Sequence, residues 1–195
     1  KYNPSKHHRR SIRFKEYDYS SAGAYFVTAV VQDRTCLFGS VHENGMQLND
    51  TGKIANQCWE NIPNHFRRVE LDEFIIMPNH MHGIIFILPD DDNRGDVLDR
   101  GLINQAPTAI STNRTPMTTD WILMKNPKRT LGKIVRWYKA RATKMIRDSG
   151  EQGFQWQRNY HDRIIRNERE LIAIRKYIIN NPINWMRDKK NQDRN

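Results

Sequence analysis

His80 and His82 stand one residue apart in the stretch MPNHMHGIIFIL. Successive side chains of a β-strand point to opposite faces, so residues i and i+2 point the same way. Two imidazoles held side by side on a stiff strand can chelate one metal ion. The apolar GIIFIL that follows would anchor the pair in a core. Far downstream, Tyr177 and Asn181 are four residues apart, a spacing that puts both on one face of a helix. An asparagine oxygen can serve as a third metal ligand beside two histidines. A tyrosine one turn away would then reach whatever the metal binds. Tyrosine forms covalent intermediates, and a metal polarises a phosphoryl oxygen. Together these parts suggest tyrosine attack on a phosphodiester. With seven histidines in 195 residues, an H-x-H spacing arises readily by chance. The specificity lies in the conjunction of strand-borne histidines, a basic helix and the tyrosine helix.

The elements that must position these residues are legible as alternating strands and helices. AYFVTAVVQ (24–32) is rich in β-branched and aromatic residues and predicts a buried strand. Asn44-Gly45 within 36–49 is a strong hairpin signal. Asn49 or Asp50 can cap a helix running to about His65, with Ile54, Ala55, Cys58, Trp59 and Ile62 as its apolar stripe. ELDEFIIMP (70–78) predicts a strand that pairs antiparallel with the histidine strand, which runs to about Leu88. Residues 130–147 predict an amphipathic helix with Leu131, Ile134, Val135, Tyr138, Ala142, Met145 and Ile146 on its apolar face. A strand over 154–167 and a helix over 168–182, stopped by Pro182, complete the series.

Without the hairpin and the last helix the order is β-α-β-β-α-β, the ferredoxin-like arrangement. The expected class is α+β: an antiparallel sheet with an added hairpin and a C-terminal catalytic helix. One domain spanning 1–195 is expected, interrupted at about 90–126 by a flexible polar insertion, ordered only with a partner. Trp121, Ile122 and Leu123 could dock its far end.

Composition narrows the function. Hydrophobic residues make up 37%, and no apolar run approaches the ~20 residues of a membrane span, so no membrane partner is expected. KYNPSKHHRR has no apolar core of a signal peptide, and it lacks a starting Met. Cys36 and Cys58 have neither disulfide-framework nor metal-ligand spacing; both are expected in the core and in a reducing, cytoplasmic compartment. The net charge of +10 points to a polyanionic partner, nucleic acid first. Residues 125–147 carry nine basic residues and no acid until Asp148, a sign-pure element rather than a mixed solvated face. Lys133, Arg136, Lys139 and Arg147 are expected to hold phosphates. Arg158, His161 and Arg163, with Trp156 and Tyr160, could stack on or bond to unpaired bases, although alternation lets only about half of them face DNA. His7, His8, Arg9 and Arg10 form a basic tail that could touch phosphates.

PNHMHGIIFI followed by WQRNYHDRIIRNERELIAIRKYIINNPINW resembles the single-tyrosine HUH transposases, and most nearly their REP-associated tyrosine transposase branch. The resemblance spans about 20–89 and 127–187. It implies His80 and His82 as the two-histidine motif around a hydrophobic Met81, Tyr177 as nucleophile and Asn181 as third ligand. Insertion-sequence members usually carry Gln at the Asn181 position; Asn fits the REP-associated branch. The resemblance further implies Mg²⁺ or Mn²⁺ as cofactor and single-stranded or hairpin DNA as substrate. The reaction it implies is cleavage and rejoining through a 5′-phosphotyrosine link. A homodimer, with Tyr177 acting within its own chain or across the pair, is compatible with this reading. Two other classes remain: a domesticated DNA-binding protein of the same fold, and a metal-dependent phosphoesterase without a covalent step.

Overall fold

A computed structural model describes residues 21–43, 45–89 and 130–187. The chain divides into one unit of Lys1–Pro89 with Arg129–Asn195 and a second of Asp90–Lys128; the second, which contains the expected insertion, lies outside the described residues. So do the basic tail and Trp121, Ile122 and Leu123.

Strand β1 (Gly23–Val30) leads to a small hairpin, β2 (Gly39–His42) and β3 (Gly45–Leu48). Gly45 has φ 106, a left-handed value that glycine accepts without steric cost. Helix α1 (Asp50–Glu60) starts where the Asn49 side chain accepts a hydrogen bond from the Gly52 amide at 2.9 Å. The helical stretch does not run on to His65 unbroken. Asn61 interrupts it, and a short helix α2 (Ile62–His65) restarts with Pro63 in its first turn, where no amide donor is needed. Strands β4 (Val69–Met77) and β5 (His80–Ile87) follow, then helix α3 (Leu131–Asp148), strand β6 (His161–Ile165), and helices α4 (Glu168–Ile179) and α5 (Asn181–Arg187).

The main sheet has the order β4-β5-β1-β6 with every neighbouring pair antiparallel. This is the expected ferredoxin-like α+β arrangement. Pleating separates two faces. Tyr25, Val27, Ala29, Met81 and Ile85 point into the larger core, against Trp59 of α1 and Leu131, Ile134, Val135, Tyr138, Ala142 and Ile146 of α3. Ala24, Ile84 and Ile165 point the other way, where Ile174 and Ile178 of α4 cover them. The histidines lie on this second face, beside the C-terminal turn of α4. Gly83 lies on the first, and a Cβ there would come within 2.4 Å of the Trp59 indole. The glycine after the histidine pair is what lets α1 press onto the strand that carries it.

Two further expectations need correction. The strand foreseen over 154–167 exists only as His161–Ile165. Before it, Phe154 and Trp156 turn into the core beside Phe38, with Tyr138 packed on Trp156, and Trp156 makes a single bridge to Val31. Burial of two large aromatics outweighs the alternation that suggested a strand, so Trp156 is a core residue and not a stacking platform. Pro182 also does not end the last helix. Helix α4 closes at Asn180, and Pro182 is the second residue of α5. Tyr177 and Asn181 therefore belong to different helices. Of the cysteines, Cys58 is buried and Cys36 half-buried. No described helix is long and apolar enough to cross a membrane.

Candidate metal and nucleophile site

Register aligns the site. His80 pairs with Val30 and Met77, and His82 pairs with Thr28 and Ile75. Thr28 also pairs with His161, so His82, Thr28 and His161 form one row across three strands on one face. The two motif imidazoles turn their Nε2 atoms toward each other, 3.1 Å apart. Each Nδ1 has its own partner: Thr28 Oγ1 at 2.7 Å from His82 and Asn79 Oδ1 at 2.8 Å from His80. Phe26 stacks on the His82 ring with centroids 5.3 Å apart.

Helix α4 brings the tyrosine. Ile174 and Ile178 seat it on the sheet, and Arg175 pins it to β4 through Asp72 at 2.6 Å. Tyr177, one residue before Ile178, then places its hydroxyl 3.3 Å from His82 Nε2 while the residue as a whole remains 46% exposed. At the break between the helices, Asn181 is buried and hydrogen bonds to His80. Trp185 of α5 lies against the His80 ring at 5.7 Å. Thus Tyr177, His80, His82 and Asn181 do converge, although Asn181 arrives on a second helix.

Burial holds the His80 imidazole down at about 4; the Arg34 charge adds to this, and the Asn181 hydrogen bond opposes it. His82 is held at about 3 by burial and then by its neighbour His80. Both rings are therefore neutral at pH 7, the form that ligates a metal. Two neutral Nε2 atoms and a buried amide form a donor set that would fit a divalent ion. Among the described residues no group of three or more His, Cys, Asp or Glu side chains could hold a metal ion.

The basic residues sit elsewhere. An open groove of about 1190 Å³ between α3 and the 152–160 segment gathers Arg136, Lys139, Lys144, Arg147 and Arg158. Helix α3 packs on the sheet face opposite the histidines, so this groove is separate from the Tyr177 site. Lys139 donates to the carbonyls of Gln157 and Asn159, and Arg147 Nε donates to the Phe154 carbonyl at 3.0 Å. Both thus brace the 154–159 segment. Burial pushes the Lys139 ammonium down to about 8. Lys133 and Arg158 are exposed. Arg163 pairs with Glu170 at 3.1 Å, and His161 is exposed on the histidine face.

Sequence reading missed Thr28, Asn79, Phe26 and Trp185. A threonine inside the apolar AYFVTAVV and an asparagine directly before the first histidine were the available signals.

No protein-family model matches the chain. Among solved structures, a REP-associated tyrosine transposase bound to a REP hairpin matches with a TM-score of 0.53. The match covers 89% of this chain and 74% of that one at 16% identity, which shows a shared fold. An uncharacterized protein of Haemophilus influenzae is 43% identical over 188 residues, 96% of each chain. The chain belongs to the same family as this Haemophilus influenzae protein.

Proposed function

We propose that the protein is a metal-dependent, single-tyrosine HUH transposase that nicks and rejoins single-stranded DNA. One observation carries this reading: the Tyr177 hydroxyl and the Nε2 atoms of His80 and His82 meet at one spot on the sheet face, at 3.3 and 3.1 Å. The shared fold with the tyrosine transposase supports it, as does the net charge of +10.

His80, His82 and Asn181 would hold the ion. Bound there, a Mg²⁺ or Mn²⁺ ion would polarise the scissile phosphate and stabilise its developing charge. Tyr177 Oη forms the new bond to phosphorus while the bond to the 3′ oxygen breaks. The phenol proton passes to solvent, and the departing oxygen takes one up to give a free 3′-OH. The 5′-phosphate remains on Tyr177, so a 3′-OH attacking that link reverses the step and rejoins the strand without ATP. Phe26 and the seated α4 limit the directions from which the phenol can approach, which favours a single line of attack. Arg136, Lys144 and Arg158 in the groove, with Lys133 beside it, would neutralise backbone phosphates.

The test is a denaturing gel of labelled hairpin DNA with a single-stranded flank, incubated with Mn²⁺. A covalent protein–DNA adduct that EDTA and Tyr177→Phe both abolish is the expected result. Cleavage by Tyr177→Phe at the wild-type rate would instead indicate a phosphoesterase. Binding without cleavage would indicate a DNA-binding descendant of the fold.

A further inference from the structure

We infer that Asn79 and Thr28 are positioning residues that set the tautomers of the two histidines differently: Asn79 locks His80, and Thr28 lets His82 switch when the metal binds. The metal-dependent half of this rests on the function proposed above.

Asn79 is buried and has two partners with opposite demands. Its Nδ2 donates to the Arg34 carbonyl at 3.0 Å, and its Oδ1 lies 2.8 Å from His80 Nδ1. A carbonyl only accepts, so the amide NH₂ must face Arg34 and the amide oxygen must face His80. An amide oxygen also only accepts. His80 Nδ1 therefore carries the proton, and in the neutral ring Nε2 is left with a bare lone pair. The backbone reinforces this: the Asn79 carbonyl accepts from the Val31 amide at 2.9 Å, and Pro78 O accepts from the Leu37 and Phe38 amides at 2.9 and 3.0 Å. Asn79 is thus fixed at both its main chain and its side chain.

His82 meets a different kind of partner. A hydroxyl both donates and accepts, so Thr28 Oγ1, 2.7 Å from His82 Nδ1, imposes no tautomer. In the metal-free protein the choice falls to the other nitrogen. His82 Nε2 lies 3.1 Å from the bare Nε2 of His80 and 3.3 Å from the Tyr177 hydroxyl, which accepts as readily as it donates; at the shorter distance two facing lone pairs repel. His82 therefore keeps its proton on Nε2 and donates it to His80, while the Thr28 hydroxyl donates to Nδ1. Ligation requires a bare Nε2 on both rings. His82 then releases its Nε2 proton to solvent and takes one from solvent at Nδ1. Thr28 rotates to accept it, so the net charge of the pair does not change. Metal ligands commonly hold their second ring proton to such a partner, and losing the partner costs roughly 10- to 100-fold in affinity.

Nitrogen-15 NMR of the histidine side chains reads the tautomers directly, in EDTA and again with saturating Mg²⁺. In EDTA, His80 should show the Nδ1–H form and His82 the Nε2–H form; with Mg²⁺ both should show Nδ1–H. Mn²⁺ titration of the variants reads affinity. Thr28→Val and Asn79→Ala should each weaken Mn²⁺ binding by about 10- to 100-fold, and Thr28→Ser by less than about 3-fold. If Thr28→Val does not fold, the wild-type spectra in EDTA alone decide. His80 as Nε2–H, or His82 already as Nδ1–H without metal, overturns the inference. So does wild-type Mn²⁺ affinity in Thr28→Val, or no Mn²⁺ binding by the wild type. The expected tautomers and affinities in a protein that never nicks DNA would defeat the transposase reading and leave this one standing.

Discussion

The Tyr177 hydroxyl lies 3.3 Å from Nε2 of His82, a residue 95 positions away in the chain. Neither residue fixes this distance. It follows from Ile174 and Ile178 seating α4 on the sheet, from the Arg175–Asp72 ion pair, and from β1 placing Thr28 and Phe26 around the His82 ring.

Tyr177→Phe removes only an oxygen from a residue that is 46% exposed. Stability should change by less than about 0.5 kcal/mol, as for other surface substitutions. Nicking of hairpin DNA should fall on the order of 10³-fold or more, because the attacking atom is gone. An unchanged melting temperature, with no covalent adduct on a denaturing gel, checks both halves.

Metal binding should depend on both histidines and on Asn181. His82→Ala or Asn181→Ala should abolish calorimetric Mn²⁺ binding or weaken it at least about tenfold, and EDTA should stop nicking by the wild type. Adding back Mn²⁺ should restore it. Unchanged Mn²⁺ affinity in Asn181→Ala would exclude that amide as a ligand.

The buried imidazoles predict an acid-side loss of stability in the metal-free protein. Folding lowers their pKa values to about 4 and about 3, whereas in the unfolded chain both titrate near 6.5. Above pH 6.5 neither state binds these protons, so no penalty exists. As pH falls below 6.5 the unfolded state takes up protons that the folded state refuses, and stability drops by up to about 1.4 kcal/mol per pH unit for each ring. The loss levels off as each folded-state value is passed. Urea melts in EDTA at pH 7 and pH 5 should show it, and His80→Gln/His82→Gln should flatten the difference.

Exposed and braced basic residues should behave differently toward DNA. Lys133→Gln and Arg136→Gln should each weaken binding uniformly across sequences and lower the slope of log K against log salt by about 1. Lys139→Met should instead loosen the 157–159 segment, whose carbonyls it holds. Faster amide hydrogen exchange in that segment is the readout.

Gly83→Ala should destabilise the fold. The added Cβ would meet the Trp59 ring at 2.4 Å and the Phe74 side chain at 3.1 Å. Overpacking of this kind costs about 1–3 kcal/mol, visible as a lower melting temperature. An unchanged melting temperature would mean that α1 does not press on β5 as described.

The sequence by itself determined the order β-α-β-β-α-β, since each element carries its own periodicity. Ile134, Val135, Tyr138, Ala142 and Ile146 mark one helix face without reference to anything distant, and all are buried. The two-residue spacing of His80 and His82 was equally local, because a strand makes it a shared face. Other features depend on contacts far along the chain. A proline after Asn181 can close one helix or open the next; packing selected the second, and so moved Asn181 onto α5. The aromatic alternation of 154–160 suits a strand or a core plug, and packing against Phe38 and Tyr138 selected the plug. Thr28 is one polar residue in an apolar strand until antiparallel register sets it against His82. Local pattern therefore determined which residues could do chemistry. Register and helix seating, which are non-local, decided which of them meet.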